Sequence, residues 1–406
     1  MAMIRGLERC AVLTTVVLVA ACGGSAASSG ASQAPRPSPI TAQPKSTALP
    51  TPSATVDQAG SGQSLPPGVT IVDVANIIQR LDWSPNGKLL AVLTWGGTLG
   101  TGRADVLDVA GRKIASFDAF DMAWVDDSHL MTLVVSPDDI APGTVTIHAI
   151  DRPESNVVPG TFGGMLGNGH GSVALLAPVV ASDAPEVESF QIWSNGQIGP
   201  RIAGFGHPVR WSTDGRLLAL VGEATTGGAG GVGGSLPGTL TVLKLPERTT
   251  VLSRALDDTR LDVYFSPDGS RLATSDGLVL NLTAGGSTQV TGRATGWVSA
   301  GLVLVGEDQR VSLWTPAGTT VVPNAFDWAA FGPNAGDVAA GSTASESLSF
   351  PAAAVVRRAG SAVSIPLNVG LSAATWSSGG VCFIATGTID AQRTDNRLLR
   401  VELPSN

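Results

Sequence analysis

Few residues in this chain have the types and spacing that chemistry needs. The four histidines, His129, His148, His170 and His207, are scattered and lack the close spacing of a metal site. Only His129 and His170 recur beside equivalent turn segments, and a solvated pair is a simpler reading of them than a bound ion. The acidic pairs Asp126-Asp127, Asp138-Asp139 and Asp257-Asp258, with Glu186 and Glu188, have the residue types of a general acid and base or of a Ca²⁺ site. Their polar settings read more simply as solvated loop charge. No Gly-x-Ser-x-Gly occurs, so the strained turn that presents a hydrolase serine is missing. Gly228-Ala-Gly-Gly-Val-Gly233 spells a dinucleotide fingerprint, but the segment after it, Gly238 to Leu245, reads as a strand where the fingerprint needs a helix. The expectation is a protein without catalytic residues, metal or cofactor.

The three cysteines, Cys10, Cys22 and Cys382, make no disulfide framework. Arg5 and Arg9 precede an apolar stretch, Ala11 to Ala21, that is too short to span a bilayer and has the form of a secretory leader. It ends in Val19-Ala-Ala-Cys22, which resembles the bacterial lipobox. The resemblance implies that residues 1–21 are removed and that Cys22 is lipidated, anchoring the chain to the cell membrane outside the cytoplasm. Cys10 leaves with the leader, and Cys382, in an apolar run, reads as a buried structural thiol. Residues 22–64 are dominated by Ala, Ser, Gly, Pro, Thr and Gln and cannot bury enough surface to fold. As a flexible tether their ends would lie roughly 35 Å apart. Loss of Arg5, Arg9 and Glu8 takes the 25 basic and 33 acidic residues to 23 and 32, a net charge of −9. That balance argues against nucleic acid or an anionic lipid surface as partner, so the membrane is expected to be met through the anchor alone.

The elements that must position any site follow from a repeat. Trp83-Ser-Pro-Asn-Gly-Lys-Leu-Leu-Ala91 returns as Trp211-Ser-Thr-Asp-Gly-Arg-Leu-Leu-Ala219 and Phe265-Ser-Pro-Asp-Gly-Ser-Arg-Leu-Ala273, with looser copies opening at Trp124, Trp297, Phe331 and Trp376. Pro presets φ, Asp or Asn tolerates the next position and Gly accepts the positive φ that closes a tight hairpin. The runs that follow, such as Leu217-Leu-Ala-Leu-Val221, are apolar at consecutive positions, as a strand covered on both faces requires. Shorter strands with their own turns come next, at Val106 to Val109, Phe190 to Trp193 and Val311 to Trp314. Four short antiparallel strands per roughly 40 residues form the blade of a β-propeller.

The 87-residue gap between Trp124 and Trp211 holds a degenerate unit in which Leu166 takes the aromatic place, Asn168-Gly169 the turn and Val173 to Leu176 the strand. The count is eight blades, with seven as the alternative, in one all-β domain over residues 65–406. The last unit ends without an outermost strand, while Val69 to Val74 precedes the first unit as an orphan. Pairing the two closes the ring and removes an exposed edge.

The aromatic-Ser-Pro-Asp-Gly-x-x-Leu-Ala signature resembles the repeat of TolB-type propellers, a WD-repeat-like family of bacterial envelopes. The resemblance covers roughly 340 residues. It implies a binding platform, and no catalytic domain accompanies the repeats here. Long insertions recur between the second and third strands of a unit: 96–103, 136–143, 178–189, 222–238 and 341–350. Strand alternation puts them all on the face that also carries the blade-to-blade connections, and a rim of long loops is where a rigid scaffold usually keeps its binding function. Trp95, Phe162, Phe205, His207 and Phe350 are the candidate contacts, with packing beneath the loops as the competing role. The expected partner is an envelope protein, peptide or glycan bound by a monomer. The rival is a propeller enzyme acting on glycans or lactones through carboxylates near the central channel.

Overall fold

The computed structural model describes residues 65–403 apart from 73, 75–76, 96–101, 136–142, 178–188, 224–236, 327, 335–336, 342–352, 359–360, 367–370 and 387–396. The expected leader and tether, Cys22 and Phe350 lie outside the described residues. Every helix or strand among those residues is a β-strand, and the strands form eight antiparallel sheets. Blade 1 runs outward through Ile77–Trp83, Leu89–Trp95, Gly102–Asp108 and Lys113–Asp118. Blades 2 to 7 begin with inner strands Asp121–Trp124, Gly164–Gly167, His207–Trp211, Val263–Phe265, Arg293–Val298 and Trp328–Phe331. In blade 3 the outer strand is broken into Gln197–Ile198 and Ile202–Ala203, both paired to Ser189–Ser194. Pro200 lies in the break and has no N–H to give to a ladder.

Blade 8 has Leu371–Trp376, Cys382–Thr386 and Leu398–Val401, and takes its outermost strand from Val69–Val72. The register sets Val69 against Val401 and Val72 against Leu398. The expected eight-bladed ring, closed by the orphan N-terminal strand, is the architecture observed.

The apolar runs work as their pattern requires. Leu90, Ala91 and Val92 are all fully buried because both faces of their sheet are covered. The core is divided into eight clusters, each lying between two successive blades. Between blades 1 and 2, for example, Leu93 and Val106 meet Met122 and Leu130. Between blades 8 and 1, Phe383 and Leu398 meet Leu90 and Val92. Cys382 is completely buried in the cluster of blades 7 and 8, where burial pushes its thiol pKa well up.

The first hairpins of blades 4 and 5 show what the repeated Ser and Asp do. Ser212 donates its hydroxyl to Asp214 (2.6 Å) while its Oγ accepts the backbone N–H of Leu217 (2.8 Å). Ser266 does the same with Asp268 (2.6 Å) and Arg271 (2.9 Å). Gly87, Gly215 and Gly269 take φ of 67°, 70° and 68°, the left-handed values that the turn demands.

Three of the repeated tryptophans pin one blade to the one before it. Trp124, Trp211 and Trp376 donate their indole N–H to the backbone carbonyls of Asp82 (3.0 Å), Leu166 (2.9 Å) and Ala330 (3.1 Å). This pattern corrects the reading of the degenerate unit. Asp82 and Ala330 each precede the aromatic position, so Leu166 does too, and Gly167 occupies that position. The pairing agrees: Gly167 faces Val173 as Trp124 faces Leu130. A Cβ at Gly167 would come within 2.5 Å of the Trp124 carbonyl, so the bare backbone is what fits there.

Candidate functional site

The two faces of the ring differ. On one lie the first hairpin turns, and they hold each other. Asn86 N–H donates to Asp127 (2.7 Å) in the next blade, and Ser378 in blade 8 donates to the Asn86 carbonyl (3.0 Å). Gly171 N–H donates to the Val125 carbonyl (2.7 Å), and the His170 ring meets the Thr213 carbonyl (2.8 Å). His129 is bound within its own turn by Asp126 at 3.0 Å. The two turn histidines therefore have separate partners. An open cavity of about 690 Å³ on the seam between Arg358 and Arg400 borders ring closure: Arg400 donates to the Val109 carbonyl (2.7 Å) and pairs with Glu402 (2.6 Å).

The other face carries the blade-to-blade connections and the segments between second and third strands. Those segments are bounded by Trp95 and Gly102, Val134 and Thr144, Leu176 and Ser189, Glu223 and Gly238, Gly341 and Ala353, and Thr386 and Leu398. The insertions thus fall where the repeat places them, although their interiors lie outside the described residues. In blades 5 and 6 the corresponding segments are only Ser275-Asp276-Gly277 and Gly306 to Gln309. The rim is low on that side.

Of the candidate contacts, Trp95 ends the second strand of blade 1 and is 39% exposed, and Phe205, in the connection from blade 3 to blade 4, is 37% exposed. Phe205 is held out by Gly206, whose φ of 91° lets the backbone lie against the Val221 carbonyl, 2.3 Å from where a Cβ would sit. His207 is half-buried at the start of the inner strand of blade 4. Phe162 is 3% exposed, packed with Val158 and Met165 between blades 2 and 3, and its backbone pairs with Gly143. Its place is beneath the rim. Phe205 and His207 lie together at the start of blade 4, whereas Trp95 stands in blade 1, so the candidates spread round the rim without forming one cluster.

The inner strands carry a polar set that the sequence reading did not single out. Each inner strand is flanked by blades on both faces and by its own second strand on one edge, which leaves the central channel as its access to solvent. Arg80 bridges blades 1 and 2, ion-paired to Asp82 (2.7 Å) and Asp121 (2.8 Å) and donating to the Met122 carbonyl. Burial works against its charge, but the two carboxylates outweigh it and raise its pKa. Across the ring, the Arg210 guanidinium lies 5.5 Å from the centre of the Tyr264 ring and its Nε donates to the Val263 carbonyl (3.2 Å). Tyr264 donates its hydroxyl to Asp262 (3.3 Å). Burial, then the Asp262 charge, pushes the phenol pKa up, while Arg210 and Arg293 pull it down. These contacts join residues of successive blades, so no local motif announces them. The one signal was an Arg or Tyr immediately before an aromatic marker, as in Arg210-Trp211 and Tyr264-Phe265.

No family model matches the sequence, and no curated protein matches it. Solved structures do. The hydrazine synthase of Kuenenia stuttgartiensis is 12% identical, over 76% of this chain and 92% of that one, with a TM-score of 0.42. The β-propeller domain of the Trilobed protease from Pyrococcus furiosus is 13% identical, over 60% and 83%, at 0.38. The Dos1 propeller is 10% identical, over 80% and 77%, at 0.43. The ring of eight sheets itself makes this chain a β-propeller.

Proposed function

We propose that the chain is a lipid-anchored, extracytoplasmic β-propeller of the TolB type that binds an envelope protein, peptide or glycan through its long-loop face and catalyses no reaction. The observation that carries this reading is the contrast between the faces. On the turn face the polar groups are engaged with one another, while the loop face presents Trp95 and Phe205 to solvent. Exposed aromatics on a rigid frame are the usual anchors of an interface. Of the inner-strand carboxylates, Asp82 and Asp121 are both paired to Arg80 and Asp262 accepts the Tyr264 hydroxyl, which favours binding over carboxylate catalysis. The test is capture of partners from a membrane fraction with the full chain as bait. Changing Trp95 or Phe205 to Ala should weaken capture by about 1 kcal/mol or more, roughly fivefold. Undiminished capture by both variants, with loss on changing residues of the turn face, would put the interface on the other side.

A further inference from the structure

Tyr264 is the only tyrosine of the chain, and it stands on the inner strand of blade 5 between two arginines. Arg210, on the inner strand of blade 4, is exposed although it stacks on the Tyr264 ring. Only its Nε is bonded, to Val263, so its terminal nitrogens have no partner among the described residues. Arg293 opens the inner strand of blade 6, is exposed, and makes no ion pair among the described residues. Its neighbour Ala294 donates its backbone N–H to the Ser275 carbonyl (3.0 Å), and Ser275 N–H donates to the Asp262 carbonyl (2.8 Å), so Arg293 opens its strand beside the Asp262 end of blade 5. The Tyr264 hydroxyl is fixed by Asp262. Both Asp262 and Arg293 stand at the loop-face end of the inner strands, beside blades 5 and 6, where the segments between second and third strands are shortest. The place is therefore open from the rim.

We infer that Arg210 and Arg293, flanking Tyr264 at the mouth of the channel, form a binding site for a carboxylate. An exposed guanidinium stacked on an aromatic ring is held in one orientation, so its free N–H groups are aimed in advance and lose little freedom on meeting a ligand. At the Tyr264 ring two guanidinium charges stand against the carboxylate of Asp262, which holds the phenol hydroxyl, and Asp276 on the short segment beside them has its carboxylate on the Thr274 hydroxyl, so one positive charge at the ring is left to be matched. A carboxylate supplies one negative charge. A phosphate dianion would bring a second into repulsion with Asp262. The site lies in a chain of net charge −8, so its local excess of positive charge runs against the molecule as a whole. The ligand is either a small free acid or an acidic side chain or terminus of a polypeptide seated on the rim. In the second case the inference rests on the proposed binding role of the loop face.

A single 3-fluorotyrosine at position 264 gives one fluorine NMR signal at the site. Full-length protein carrying it is titrated with succinate, with a short glutamate-rich peptide, with inorganic phosphate and with chloride at matched ionic strength. A saturable shift with succinate or with the peptide is expected, and phosphate should be weaker. The tighter of the two carboxylates identifies the source. Arg293→Gln, which breaks no ion pair of the described residues, should weaken the response about tenfold or more, as should Arg210→Gln. Arg254→Gln, on the outer strand of blade 4, should leave it unchanged. A response no larger than that of chloride, or one that survives Arg293→Gln in a chain that melts like the wild type, overturns the site. The titration contains no partner protein, so its outcome is separate from that of the rim variants: either can fail while the other stands.

Discussion

Asp268 shows how much a single turn residue carries. Its carboxylate accepts the Ser266 hydroxyl first of all, then the backbone N–H (3.0 Å) and hydroxyl (2.8 Å) of Ser270, and these bonds hold its pKa down at about 2. In Asp214, burial works against the charge but the Ser212 hydroxyl and Arg216 outweigh it, and the pKa is again lowered. A carboxylate depressed below its unfolded value of about 3.9 stabilises the folded chain above that pH, and the contribution disappears as the pH falls from there towards 2. Urea denaturation across that interval should show the wild type losing stability faster than Asp268→Asn, which keeps an acceptor oxygen but has no proton to take up. Parallel losses in the two proteins would remove Asp268 from the acid sensitivity. The geometry of this turn was legible, because Ser, Pro, Asp and Gly impose it within a few residues. The Arg210 and Tyr264 stack was not, because its partners lie 54 residues apart and meet only once blades 4 and 5 are side by side.

At the scale of the element, the strand Val69–Val72 has the most to lose. Val69 and Val72 are buried in two different inter-blade clusters, one shared with blade 7 and the other with blade 1. The strand therefore seals both flanks of blade 8 as well as its outer edge. A chain beginning at Ala75 should lose about 3 kcal/mol or more from those two side chains alone and melt less cooperatively, whereas one beginning at Ser64 should melt like the longer protein. Equal melting temperatures would show that the pairing contributes nothing to stability. Strand order and blade count could be read from sequence because each unit repeats its turn and its apolar run. The degenerate third blade was displaced by one residue, since Leu166 resembles an aromatic more than Gly167 does. What decides that position is the approach of the Trp124 carbonyl, which lies in another blade. Phe162 illustrates the same limit: an aromatic in a connection reads as a contact until the neighbouring strands show it to be buried.

For the whole molecule, the proposed lipid anchor makes a prediction of its own. If Cys22 is acylated, metabolic fatty-acid labelling should follow the wild type, and Cys22→Ala should abolish the label and free the protein from the membrane fraction. Equal labelling of the variant would end the lipoprotein reading. The ring itself has a further consequence, which concerns the order of events in its making. The partners Val69 and Val401 are separated by 332 positions. Synthesis runs from one towards the other, so the first of the described strands to appear must wait for the last of them. Blades 1 to 7 can each assemble from contiguous chain, at a modest cost in closure entropy, but blade 8 needs the slowest encounter that the chain contains. Until then Val69–Val72 and Leu398–Val401 are both unpaired edges, open to the wrong neighbour, including the same strands of a second copy. Dilute refolding should therefore give closed monomers, while crowded refolding should divert chains into exchanged pairs at this one seam.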